Sequence, residues 1–181
     1  MLPVIAALLR PAWAGASIAA GSVGMALFGT SIYGTFGPLG ILVPIIATVL
    51  GSFAFHYRLG PLLPWTYVLA GAVYYILFSQ GGTTLWLIPY FIVIVSPIAA
   101  LKIRGNLKTT ILSFYTAMSE QVTLNIISIA VIGLVDGIWT VITPFMYVER
   151  TVATLGGAIL IVALKSRLGT KLETNLRNLW R

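Results

Sequence analysis

Five stretches of this chain are each long and apolar enough to cross a lipid bilayer as a helix, which takes about 20 consecutive residues. They are Ala12 to Thr30, Pro38 to Phe55, Pro61 to Phe78, Thr84 to Leu101 and Val148 to Leu164. Gly, Pro and short polar residues separate them, as in Tyr33-Gly34-Thr35-Phe36-Gly37-Pro38 and Ser79-Gln80-Gly81-Gly82, the usual punctuation between helices. Hydrophobic residues make up 59% of the 181 positions and charged residues 8%, with a mean hydropathy of +0.99. A water-soluble domain carries about a quarter charged residues. A chain this poor in charge cannot cover a surface in water and is read as solvated by lipid.

Residues 106–147 are too long for one span and carry Glu120, Gln121 and Asn125 in their middle. Two readings stand. In one, a polar-faced helix runs from Leu107 to about Leu134 and an outer re-entrant loop follows. In the other, an interfacial helix from Leu107 to Gln121 precedes a span from Val122 to about Phe145. Both cross once, and the first gives the polar residues an intramembrane purpose. The expected fold is therefore all-α: a compact bundle of about six transmembrane helices over residues 1–167. Residues 168–181 form a separate short tail, where Leu168, Leu172, Leu176 and Leu179 repeat at helical spacing among Lys171, Arg177, Trp180 and Arg181. That pattern suits an amphipathic helix on the cytoplasmic leaflet.

Charge placement orients the bundle. Arg10, Arg58, the group Lys102, Arg104 and Lys108, and the group from Lys165 to Arg181 all fall on one side of the six-span arrangement. The opposite loops hold no basic residue except Arg150, beside Glu149. The positive-inside rule then puts both termini in the cytoplasm of a multi-pass cell-membrane protein. The net charge of +7 has the same origin and does not point to nucleic acid. The opening residues do not read as a signal peptide, because Arg10-Pro11 interrupts the apolar run and the sequence beyond stays apolar.

Several chemistries are excluded. With no cysteine there is neither a disulfide framework nor a Cys-based metal site, and the single His56 removes most zinc and haem chemistry. No Walker motif, Gly-rich nucleotide fingerprint, Ser/His/Asp set or paired-His motif occurs. The expectation is a non-enzyme with no cofactor and no metal.

Ionisable groups inside a bilayer are costly, and those that occur there are candidates for function. Of four acids, Glu120, Asp136 and Glu149 lie in or near the last two spans, and Glu173 lies in the tail. On the fifth helix Thr109, Ser113, Thr116, Glu120 and Thr123 share one side, and Gln121, Asn125 and Ser128 continue the arc. Interhelical hydrogen bonding accounts for the Ser and Thr residues; Glu120, Gln121 and Asn125 are candidate ligand contacts. Glu149 sits in a first helical turn, where the helix dipole favours a carboxylate. Arg150 either pairs with Glu120, Asp136 or Glu149, or engages an anionic part of a ligand with its planar fork. Aromatic residues gather near the outer ends, most as interfacial anchors. Trp139, in the polar loop beside Asp136-Gly137, is the one best placed to stack on a planar ligand. The candidate substrate-binding set is Glu120, Gln121, Asn125, Trp139, Glu149 and Arg150.

The first span carries Ala12, Ala16, Ala20 and Gly24 at every fourth position, a stripe that lets another helix approach closely. Six short-looped helices in about 180 residues, this stripe, and polar groups in the last two helices together resemble the substrate-binding S component of energy-coupling factor (ECF) vitamin transporters. The local likeness runs from Ala117 to Leu168, through Ser119-Glu120-Gln121-Val122-Thr123-Leu124-Asn125 and Phe145-Met146-Tyr147-Val148-Glu149-Arg150. The resemblance implies that Ala12, Ala16 and Ala20 dock onto a transmembrane coupling subunit that works with separate ATPases. It also implies an outward-facing pocket for a small water-soluble organic molecule, built from the last three helices and the first outer loop. A structural subunit of a larger complex and a stand-alone carrier or channel are the other classes open to such a chain.

Overall fold

The computed structural model describes residues 1–27, 37–79, 83–133 and 137–179, the side chains of residues 26, 27 and 168–179 excepted. Every regular element among the described residues is helical. Helix α1 spans Leu2–Leu8 and α2 Pro11–Leu27; a 3₁₀ turn, Gly37–Ile41, leads into α3, Leu42–His56. Helix α4 spans Leu62–Phe78. A second 3₁₀ turn, Thr84–Leu87, opens α5, Ile88–Val95, and α6 follows as Pro97–Lys102. Helix α7, Gly105–Ile127, ends in a π-turn over Ser128–Ile132, and α8 runs as Ile138–Leu179. Two helical stretches, Gly37–His56 and Ile138–Arg167, are long and apolar enough to cross a membrane, and Leu62–Phe78 and Thr84–Val95 are shorter apolar helices.

Helix α7 is the axis of the bundle, and α1, α3, α4, α5, α6 and α8 all pack against it. Both its polar side (Ser113, Thr116, Ser119) and its apolar side (Tyr115, Met118, Val122) are therefore buried. The approach of α3 and α4 depends on missing side chains. A Cβ on Gly51 would collide with Thr116, and one on Gly71 with Val122, so only glycine lets the backbones come this close. Thr116, Ser119 and Thr123 each donate at 2.9 Å to the carbonyl one turn back (Leu112, Tyr115 and Ser119), and the Thr123 hydroxyl also meets that of Tyr67 at 2.8 Å.

The fourth apolar run is broken at Ser96-Pro97. Pro97 has no N–H for the Val93 carbonyl, and other donors replace it. Ser96 Oγ lies 3.0 Å from that carbonyl and 3.0 Å from the Tyr115 hydroxyl, which itself reaches Val93 O at 3.5 Å. Trp65 Nε1 caps the next carbonyl, Ile94, at 3.0 Å.

Three features depart from the sequence expectation. Residues 2–8 form a helix of their own, with Pro3 close to Gly157 and Ala6 fully buried; Arg10-Pro11 ends it, because the residue before proline avoids the helical region. Among the described residues no outer re-entrant loop follows α7. Gly133 closes the helix in the left-handed conformation (φ 62°), and by Ile138 the chain is already in α8, well before Val148. Pro144 lies inside α8 and interrupts one backbone hydrogen bond without ending it. Trp139 is consequently a helical residue, 1% exposed, and not part of a polar loop.

The basic residues collect at one end. Ser52 Oγ donates to Leu9 O at 2.5 Å and lies 3.3 Å from His56, which places Arg10 beside the end of α3. Phe55, Lys108 and Lys165 border one cavity there. Trp86 and Trp139 meet at the opposite end. Tyr33, Phe36 and Asp136 lie outside the described residues, and so do the side chains of the tail leucines and Glu173.

Candidate functional site

Four of the six expected ligand contacts come together. A cavity of about 240 Å³ is bordered by Gln121, Asn125 and Ser128 of α7, by Trp139, Ile142, Met146 and Glu149 of α8, and by Trp86 ahead of α5. Positions 121, 125 and 128 recur at helical spacing on one face of α7, and 139, 142, 146 and 149 do the same on α8. The two helices thus present matching stripes to one space.

The polar wall is a chain of amides. Gln121 Nε2 donates to Asn125 Oδ1 at 2.9 Å, and Asn125 Nδ2 donates on to the Tyr90 hydroxyl. Gln121, Asn125 and Tyr90 are 5%, 3% and 1% exposed. The aromatic wall is a packed trio: Trp139 stands edge-on to both Tyr75 and Trp86, each at a ring separation of 5.1 Å. The Trp139 indole N–H is buried and has no hydrogen-bond partner among the described residues. The Trp86 nitrogen is also unpartnered, near the Tyr90 hydroxyl but outside hydrogen-bond geometry. A buried donor left unmade costs about 1–3 kcal/mol, and the two indole rings that carry these donors both border the cavity.

Glu120 and Arg150 belong elsewhere. Arg150, 2% exposed, donates from one terminal nitrogen to Glu120 at 2.6 Å and to the Ala117 carbonyl at 2.8 Å. Its other terminal nitrogen reaches Glu149 at 2.6 Å. One guanidinium thus faces two carboxylates and clamps α8 to α7. Neither Glu120 nor Arg150 borders the 240 Å³ cavity. Adjacent positions on a helix point about 100° apart, so Glu120 faces the clamp while Gln121 faces the cavity. Glu149 joins the two, paired with Arg150 and 64% exposed at the cavity rim. The only formal charge among the lining residues is its carboxylate.

Sequence reasoning did not single out Tyr90, Trp86, Ile142 or Met146. Trp86 and Tyr90 are one helical turn apart, a spacing that puts both on the same side of the α5 start, but outer-end aromatics also read as interfacial anchors.

Ala12, Ala16 and Ala20 are exposed and Gly24 half-exposed. Helix α2 packs chiefly on α3, through Ala14 and Gly15, and leaves the small-residue stripe facing away from the bundle.

No protein-family model, no curated protein and no solved structure matches this chain.

Proposed function

We propose that this chain is a six-span membrane protein whose α7–α8 cavity binds a small water-soluble organic molecule. In this reading it is the substrate-binding subunit of a vitamin-type transporter, served by a separate coupling subunit and ATPases. The observation that carries the reading is the cavity itself: a buried amide pair, an aromatic wall and one carboxylate at the rim, set among apolar side chains, the usual design of a small-molecule site. Lipid solvation is supported by the outer surface. Val141, Phe145, Val148, Val152 and Ile159 form a stripe along α8, each between 65% and 72% exposed. Ile76, Leu77, Phe78, Phe91 and Val95 are similarly bare. Contiguous apolar surface on this scale is foreign to a soluble monomer.

The charge at the site narrows the ligand. Arg150 is committed to two carboxylates, and Glu149 is the charged residue at the rim, so the pocket suits a neutral or cationic heteroaromatic compound better than a carboxylate. Thermal-shift screening of the purified protein, with native mass spectrometry for co-purified molecules, tests this, since a ligand of the native state raises its melting temperature by mass action. Gln121→Leu removes a polar side chain that borders the cavity and is expected to weaken binding about tenfold, the worth of one hydrogen bond. Absence of any stabilising compound, together with stable co-purification in a larger assembly, would replace this reading with that of a structural subunit.

The orientation follows the basic end. Because the chain has no cysteine, single cysteines report it directly. Thr84→Cys and Thr140→Cys should react with an impermeant reagent on intact cells, and Leu59→Cys and Asn106→Cys only after permeabilisation. The opposite pattern would invert the topology and place the cavity in the cytoplasm.

A further inference from the structure

At the basic end, a second cavity of about 610 Å³ opens between α3, the start of α7 and the far part of α8. Its border includes Lys108 and Thr109 from α7, Lys165 and Ser166 from α8, and Phe55 from α3. Neither lysine meets a carboxylate among the described residues. A cation on each of two helices thus faces the same space with its charge uncompensated. Helix α7 also begins here with no side-chain cap on its first amides, which adds a partial positive charge.

A groove of about 360 Å³ shares Asn106 and Val162 with this cavity and continues along Thr110, Ala158, Ile159 and Ala163. Positions 158 and 159 precede Lys165 by about two helical turns, so the groove runs some 10 Å or so from the charged end toward mid-bundle. Cationic at the mouth and apolar along its length, the pair has the polarity of a lipid in one leaflet.

We infer that the cavity and groove bind one anionic phospholipid, its phosphate between Lys108 and Lys165 and an acyl chain along Ala158, Val162 and Ala163. This inference rests on the membrane reading above but not on the ligand cavity at the other end. At a charged membrane surface each basic residue attracts anionic lipid by a factor of about five wherever it lies; in neutral detergent that surface is absent, and only cations that touch the bound lipid retain it. The site differs in that two particular lysines and the groove act together.

The test uses the full chain in neutral detergent, exchanged against phosphatidylglycerol and phosphatidylcholine, with retained lipid read by native mass spectrometry. Wild type should retain phosphatidylglycerol in preference. Lys108→Gln with Lys165→Gln should lower that retention about thirtyfold, whereas Arg58→Gln with Lys102→Gln, which removes equal charge from the same end, should change it about threefold or less. Ala163→Trp, which fills the groove from an exposed position, should lower retention of the diacyl lipid while leaving both lysines in place. Equal losses from the two double variants would reduce the effect to general leaflet electrostatics and overturn the site. Displacement of the lipid by glycerol phosphate or inorganic phosphate at matched concentration would also overturn it, in favour of a soluble anion. If lipid preference is absent in a protein that still needs detergent, only this inference fails. A chain that stays soluble without detergent would instead remove the membrane reading beneath it.

Discussion

Arg150→Ala should lower stability by about 3–5 kcal/mol, the cost of removing one partner from a buried ion pair. The guanidinium is 2% exposed and holds Glu120, Glu149 and the Ala117 carbonyl at once. Without it, Glu120, 23% exposed, keeps its charge between α7 and α8 with no counter-ion. The partners should rank by burial. Glu120→Gln keeps an acceptor and should cost about 1.5–3 kcal/mol, the worth of a hydrogen bond to a charged group. Glu149→Gln, at 64% exposure, should cost about 0–1 kcal/mol, as exposed pairs do. Denaturation in detergent micelles gives all three values, and ligand titration of the same variants gives the counter-test. Should Glu120→Gln abolish ligand binding at unchanged stability, the clamp is part of the binding site and the division drawn between them is wrong.

The helices were legible in the sequence because an apolar run of membrane-spanning length has few other readings, and the described part of each run is mostly helical, although the fourth breaks at Ser96-Pro97 into two short helices. The path between them was less so. Asp136-Gly137 and Pro144 are ordinary loop signals, yet α8 absorbs Pro144 with one hydrogen bond missing. Helix α1 was hidden because Leu2–Leu8 is only 7 residues long, too short for periodicity to register, and it is held by neighbours such as Gly157 that no local pattern announces. For the site, sequence pattern identified the polar arc of α7 but not its division. Glu120 goes to the clamp and Gln121, Asn125 and Ser128 to the cavity, and that division depends on where α8 crosses. Nor does local pattern show that α7 is enclosed on both its polar and apolar sides, which the glycines on α3 and α4 allow.

Ala16→Leu combined with Ala20→Leu should leave the isolated protein folded, within about 0.5 kcal/mol of wild type, and should abolish its association with a coupling subunit. Both alanines are exposed, and a Cβ on Gly24 would meet nothing within 4 Å, so larger side chains on this face have no neighbour to strike among the described residues. The other side of α2 provides the contrast. A Cβ on Gly15 would lie 3.0 Å from Val49 Cγ2, so Gly15→Leu should overpack the contact with α3 and cost about 1–3 kcal/mol. Small residues at every fourth position let two helix backbones approach closely, and two leucines would hold them apart. The expected loss of affinity is roughly a hundredfold or more, the range of truncation effects at interface hot spots. On the proposed function, co-expression with candidate coupling-subunit and ATPase chains, followed by purification through a tag on this chain, measures it. Wild type and Gly15→Leu should both carry the partners, the latter in lower yield, and the double leucine variant should come through alone with an unchanged melting temperature. If the double variant instead misfolds by itself, the stripe contributes to internal packing; if it folds and still carries the partners, docking uses another face of the bundle.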